Sequence, residues 1–122
     1  MVKNKKNYSA PALEKGLDIL ELLSSSNSGL SQAEIAKTLN RTVNEIYRML
    51  TILVSRNYIE LNNESERYQL TYKLLQISSK HMPIKSLMQK SMPVMREIAQ
   101  LTNQSLHLSI YYAGKLLIIG QV

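Results

Sequence analysis

The chain has 122 residues, with 15 Lys and Arg against 9 Asp and Glu, no Cys, Trp or Phe, and 44% apolar residues. That is enough for one domain, or one small domain and part of another, and without cysteine it has no disulfide framework, zinc knuckle, iron–sulfur cluster or thiol nucleophile. The basic start MVKNKKNYSAP has no apolar stretch behind it and nowhere do eighteen apolar residues run together, so the expectation is a cytoplasmic protein, neither exported nor membrane-spanning.

The net charge of +6 is unevenly placed. Residues 1–10 carry Lys3, Lys5 and Lys6 and no acid, whereas residues 11–82 hold eight basic and eight acidic side chains. The body is therefore not a polycation, and an acidic partner would be met through a local patch and a flexible arm at 1–10. The same three lysines read equally well as a solubilising tail.

From Pro11 to Leu23, Leu13, Leu17, Leu20 and Leu23 recur at helical spacing behind a first-turn proline, which predicts a helix. Ile19 and Leu22 widen its apolar stripe beyond the roughly 100° that one core needs. Leu13, Ile19 and Leu22 are therefore expected to meet a partner subunit. The run Ser24-Ser25-Ser26-Asn27-Ser28-Gly29 ends the periodicity.

Two capping boxes follow, Ser31-Gln32-Ala33-Glu34 and Thr42-Val43-Asn44-Glu45. Each sets a hydroxyl at a cap and a carboxylate three residues on, satisfying unpaired amides at a helix start. Their spacing leaves a short helix from Gln32 to Leu39, a turn at Asn40-Arg41 and a second helix from Val43 to about Arg56, which is helix-turn-helix geometry. In that second helix Ile46, Met49, Leu50 and Leu53 face inward. Opposite them lie Asn44, Tyr47, Arg48, Thr51 and Ser55, an outward stripe with hydrogen-bonding groups suited to base edges or phosphates, where a plain solvated face would carry Glu and Lys.

After Asn57 the period changes from helical to alternating. Tyr58–Leu61 and Arg67–Leu70 read as strands joined by the turn-rich Asn62-Asn63-Glu64-Ser65-Glu66. A hairpin directly behind a helix-turn-helix makes a winged helix over residues 11–71. Its tip carries Glu64 and Glu66, which repel phosphate, leaving Arg67 as the wing's useful cation.

Taken in order, these segments resemble the N-terminal part of an IclR-type bacterial transcription regulator. Ala12-Leu13-Glu14-Lys15-Gly16-Leu17-Asp18-Ile19-Leu20-Glu21 is similar to the family's first helix and Leu30-Ser31-Gln32-Ala33-Glu34-Ile35-Ala36 to its second. Arg41 to Leu50, with Leu53 and Arg56-Asn57-Tyr58-Ile59, resembles its recognition helix and turn into the wing, and Tyr68-Gln69-Leu70-Thr71 with Leu74-Leu75 the wing end. Asn40 and Asn57 stand where many members have glycine, and asparagine is the other residue able to take the left-handed backbone of a helix end. The start Thr42-Val43-Asn44 departs from the family pattern, so no base preference carries over.

The resemblance implies a linker helix at 72–83, with Leu74 and Ile77 adding to the dimer interface, and then the opening of an effector-binding domain at 84–122. In that stretch a helical pattern from Ile84 to Ile98 is expected to kink or restart near Ser91 to Pro93. Ser105–Tyr112 and Leu116–Val122 read as strands around Ala113-Gly114-Lys115. One helix and one hairpin fall short of the family's domain, so the stretch is expected to be a truncated start of it, from a fragment or a truncated gene. Leu116-Leu117-Ile118-Ile119 would leave an apolar edge that pairs with another chain or aggregates.

No enzyme is expected. His81 and His107 lack cysteine or acidic companions for a metal site, no serine has a usable histidine, and the four glycines form no phosphate loop. Met82, Met88, Met92 and Met95 read as adaptable core filling or a dimer seam.

The fold class expected is mainly α with a β-hairpin wing, followed by a linker helix and an α+β fragment. The expected function is sequence-specific regulation of transcription, without metal or cofactor, by a homodimer or higher homo-oligomer on a palindromic site in double-stranded DNA. Control through a small organic effector in the full-length protein is part of that expectation. Arg41, Thr42, Asn44, Tyr47, Arg48, Thr51 and Arg67 are the candidate contacts, with Lys3, Lys5 and Lys6 as an arm near the backbone. Two rivals remain: a winged helix used as a protein-interaction module, and a DNA binder of another winged-helix family.

Overall fold

The computed structural model describes residues 8–122, so Lys3, Lys5 and Lys6 lie outside the described residues. It divides into two compact units, one ending at Leu74 and the other running Leu75–Val122.

The first unit is a winged helix. Helix α1 (Pro11–Ser24) starts with Pro11 in its first turn, where the missing N–H costs no hydrogen bond, and it buries Ile19 and Leu23. The two-residue strand β1 (Leu30–Ser31) leads into α2 (Gln32–Thr38), and α3 (Val43–Ser55) follows. Both expected capping boxes form. Ser31 and Thr42 accept from the amides of Glu34 and Glu45, while each glutamate reaches back to the cap amide.

Both helices also end the same way. Asn40 (φ 52°) and Asn57 (φ 64°) take the left-handed conformation. The Arg41 N–H donates to the Ala36 carbonyl at 2.9 Å and the Tyr58 N–H to the Leu53 carbonyl at 3.0 Å, while Asn40 and Asn57 donate to Lys37 and Val54. These are Schellman closures with asparagine in place of glycine.

Strands β2 (Ile59–Asn62) and β3 (Arg67–Leu70) form the wing, and β3 is central in an antiparallel β1-β3-β2 sheet, with Leu30 opposite Tyr68 and Ser31 opposite Arg67. The core joins all three helices to the sheet through Ile19, Leu23, Ile35, Ala36, Ile46, Leu50, Ile59 and Tyr68. Ile19 corrects one expectation. It is fully buried and Leu22 packs against the same core, so Ile19 cannot face a second subunit. The outer part of the α1 stripe is instead Leu13 and Leu17, 63% and 48% exposed.

Helix α4 (Lys73–Lys80) crosses the division and leaves Leu75 and Ile77 exposed. Helix α5 runs unbroken from Met82 to Thr102 with Pro93 inside it, where a kink or restart was expected. Proline removes one N–H partner, here that of the Gln89 carbonyl, at about 3 kcal/mol in a helix interior. Around it Met95 is buried, and Met88 and Met92 lie against Gly120.

The hairpin is β4 (His107–Tyr112) with β5 (Lys115–Gln121), turned at Ala113 (φ 48°) and Gly114 (φ 78°) and irregular between Leu108 and Ser109. Leu116, Leu117 and Ile118 are all more than half exposed, as expected of an apolar edge. No helix among the described residues is long and apolar enough to cross a membrane.

Candidate nucleic-acid interface

The second helix of the helix-turn-helix presents a continuous outward face. Successive residues turn by about 100°, so Tyr47, Thr51, Asn44, Ser55, Arg48 and Ile52 follow one another around roughly half of the cylinder, and all six are exposed. Ile46 and Leu50 fill the opposite side. The polar stripe read from the sequence is thus where it was expected, with Ile52, 53% exposed, at its far edge.

The hydroxyls on this face are less available than their residue types imply. Thr51 donates to the Tyr47 carbonyl at 2.9 Å and Ser55 to the Ile52 carbonyl at 2.8 Å, so both hydrogens bond their own helix. Thr42 accepts from the Glu45 amide and donates to the Glu45 carboxylate, which makes its side chain a cap. Exposed and oriented outward are the Asn44 amide, the Tyr47 ring and the Arg48 guanidinium, with Arg41 in the turn just before them.

Two ion pairs brace the elements around this face, and both use a capping-box glutamate. Lys15 on α1 donates to Glu45 at 2.9 Å, tying α1 to the first turn of α3. Arg67 on β3 donates to both carboxylate oxygens of Glu34, at 3.1 and 3.2 Å, and to the Gly29 carbonyl at 2.9 Å, tying the wing to α2. The Arg67 guanidinium is therefore committed to the scaffold. It was expected to be the wing's useful cation; here it is paired with Glu34, tying the wing to α2 while staying 37% exposed, and the tip keeps Glu64 and Glu66 exposed.

The carboxylates respond accordingly. The hydrogen bond from Lys15, with those from the Thr42 amide and hydroxyl, holds Glu45 down at about 2 from an ordinary 4.5. The Ser31 amide, ahead of Arg67, lowers Glu34. A carboxyl depressed on folding stabilises the fold above its unfolded value and loses that contribution as pH falls through the folded one. Glu45 should therefore withdraw its support between about pH 4.5 and about pH 2. In urea unfolding across this range, Lys15→Gln is expected to flatten the acid side of the stability profile, and an unchanged acid slope would show that the pair does not set it.

Between the starts of α2 and α3 and the wing lies an open groove lined by Ser31, Gln32, Ala33, Val43, Leu61, Glu66 and Tyr68. The Gln32 side-chain amide donates to the Val43 carbonyl at 3.2 Å, locking the two helix starts together. Tyr68 is nearly buried, and that burial, with Tyr47 nearby, raises its hydroxyl pKa.

The sequence reading missed the partners of both glutamates. Lys15 and Arg67 carry no local signal of pairing with groups 30 and 33 residues away. Of the expected dimer residues, Leu13 is exposed on α1 and Leu74 and Ile77 are partly exposed on α4. Among the described residues no group of three or more His, Cys, Asp or Glu could hold a metal ion.

Comparison with known proteins agrees with this geometry. The family described as "IclR helix-turn-helix domain" matches residues 12–62. The HTH-type transcriptional regulator BhcR of Paracoccus denitrificans is 27% identical over 110 residues, covering 90% of this chain and 39% of that protein. The HTH-type transcriptional regulator KdgR of Dickeya chrysanthemi is 30% identical over 89 residues, covering 68% of this chain and 29% of that protein. The chain thus spans well under half the length of these relatives. Among solved structures, an IclR homolog from Microbacterium hydrocarbonoxydans complexed with 4-hydroxybenzoate superposes with a TM-score of 0.73 at 14% identity, covering 91% of this chain and 46% of that one. That likeness shows the shared fold.

Proposed function

The chain belongs to the IclR-type helix-turn-helix proteins, and from that premise we propose that it is a sequence-specific, DNA-binding regulator of transcription that acts as a dimer on a palindromic operator. The observation that carries this reading is the outward face of α3, where Asn44, Tyr47 and Arg48 stand exposed on a helix held at both ends by local caps and tied by ion pair to α1. A rigid exposed helix with side chains of this kind suits the major groove.

Asn44, Tyr47 and Thr51 meet base edges or phosphates in this proposal, Arg48 and Arg41 meet guanine or phosphate, and Lys3, Lys5 and Lys6 form an arm along the backbone. Thr42 fixes the helix start, and Arg67 sets the wing. The dimer joins through the exposed leucines of α1, Leu13 and Leu17, with Leu74 and Ile77 of α4. Small-molecule control through the effector region rests on the relative bound to 4-hydroxybenzoate, and extends here only to the class of small organic effectors.

Selection of genomic duplex fragments by the purified chain at two salt concentrations tests the reading. A recovered palindrome with half-sites about one helical turn, ~34 Å, apart is expected. Retention without sequence enrichment overturns sequence-specific binding, and no retention at either salt overturns DNA binding. One observation favours a second reading, a protein-interaction module: the wing tip is acidic and its arginine is engaged. The salt dependence separates the two, since phosphate contacts make log affinity fall linearly with log salt.

A further inference from the structure

The exposed face of α3 divides lengthwise into two chemically different rows. Asn44 and Arg48, four residues apart, make a polar row. Val43, Tyr47 and Thr51, also at four-residue spacing, make a second row on the side nearer the wing, where Val43 lines the groove with Ala33, Leu61 and Tyr68. In this second row two methyl-bearing side chains flank the Tyr47 ring. Val43 is 49% exposed, Tyr47 is 56% exposed, and Thr51 turns its hydroxyl inward onto the Tyr47 carbonyl, which leaves its methyl group for the outside.

Nothing in the core requires a β-branched residue at Val43, since the inward positions are Ile46 and Leu50. Its place is nonetheless closely determined. The Thr42–Glu45 capping box fixes the backbone of the first turn, and Gln32 holds the Val43 carbonyl from α2. Val43 is thus a firmly held, half-exposed apolar group beside the polar row.

We propose that the Val43–Tyr47–Thr51 row reads the 5-methyl groups of thymines in the operator half-site, alongside hydrogen-bond readout by Asn44 and Arg48. In the major groove thymine is the base that offers an apolar group, and small side-chain methyls are its usual partners. The Val43 side chain and the Thr51 methyl have no hydrogen bond to offer a phosphate, and they flank Tyr47, which is proposed above to meet base edges or phosphates. The inference rests on the proposed DNA-binding function and adds a base preference to it.

The test replaces thymine by deoxyuridine, which removes the methyl and keeps every Watson–Crick and major-groove hydrogen-bonding group. A duplex enriched by selection with the full chain is substituted one thymine at a time, and binding is read by fluorescence anisotropy. Loss of affinity by about fourfold per contacted methyl is expected, the value of one buried methylene. Val43→Ala, Thr51→Ser and their double variant should shrink that ratio at the thymine each side chain meets, with far-UV circular dichroism confirming that they fold. Tight, sequence-specific binding that is indifferent to deoxyuridine at every position overturns the inference and leaves the regulator reading standing. A thymine preference undiminished in the double variant overturns the assignment to the Val43 and Thr51 methyl groups. Failure to enrich any duplex overturns the proposed function, and this inference with it.

Discussion

Gly29→Ala is expected to destabilise the winged-helix unit by about 2–4 kcal/mol, because it combines left-handed backbone strain with a collision against main chain. Gly29 has φ +78°, a conformation in which an L side chain is strained whatever the space around it. Space is also lacking. A Cβ built there lies 2.7 Å from the Tyr68 carbonyl oxygen and 3.3 Å from the Arg67 Cβ. The Tyr68 backbone cannot retreat easily, since β3 is the middle strand of its sheet and pairs with Leu30 on one side and Leu61 on the other.

The Gly29 carbonyl also accepts from Arg67, so displacement would disturb the Arg67–Glu34 pair that ties the wing to α2. Gly114 supplies the comparison. It has the same φ of +78° with no atom near the added Cβ, so Gly114→Ala isolates the backbone term at about 1–2 kcal/mol. Each loss is read from the urea transition of the variant's own unit, Gly29→Ala in the winged helix and Gly114→Ala in the unit running Leu75–Val122, and equal losses would show that the close approach to Tyr68 relaxes without cost.

What could be read from the sequence was what depends on near neighbours. The capping boxes are visible because cap and glutamate are three residues apart, and the asparagine closures because one residue type tolerates the required φ. The change of period after Asn57 locates the wing for the same reason. Strand β1 has no such signal. Leu30 and Ser31 become a strand only by pairing with Tyr68 and Arg67, and Ser31 already reads as a cap. The α1 stripe was misdivided because a wheel shows its width without showing which part the core takes, and the core takes Ile19 and Leu23.

The same limit applies to the site. Residue types on α3 were legible, and their hydrogen-bonding states were not. Thr51 and Ser55 read as outward donors until their hydroxyls are seen to bond their own helix. Arg67 read as a cation at a strand end, and becomes a positioning residue once Glu34 is beside it. The glutamates of the capping boxes therefore serve two purposes, closing a helix start and holding a neighbouring element, and only the first has a sequence signature.

These corrections concentrate the proposed electrostatic contact on few groups, which makes Arg48 decisive. With Arg67 engaged and the wing tip acidic, the proposed cations on this unit's DNA-facing side are Arg41 and Arg48. Arg48→Ala is expected to weaken operator binding by about 1–3 kcal/mol. The fold should not suffer, because Arg48 is exposed on a helix where alanine is well tolerated. Arg48→Lys then separates two roles. A phosphate contact needs only charge, so lysine would preserve most of the affinity, whereas alanine would lower the salt slope by about one. A bidentate contact to guanine needs the planar fork, so lysine would lose discrimination at one base pair while keeping the slope. Affinity and slope both unchanged in Arg48→Ala would remove this residue from the interface and shift the electrostatic contact to Arg41 and the lysine-bearing start of the chain.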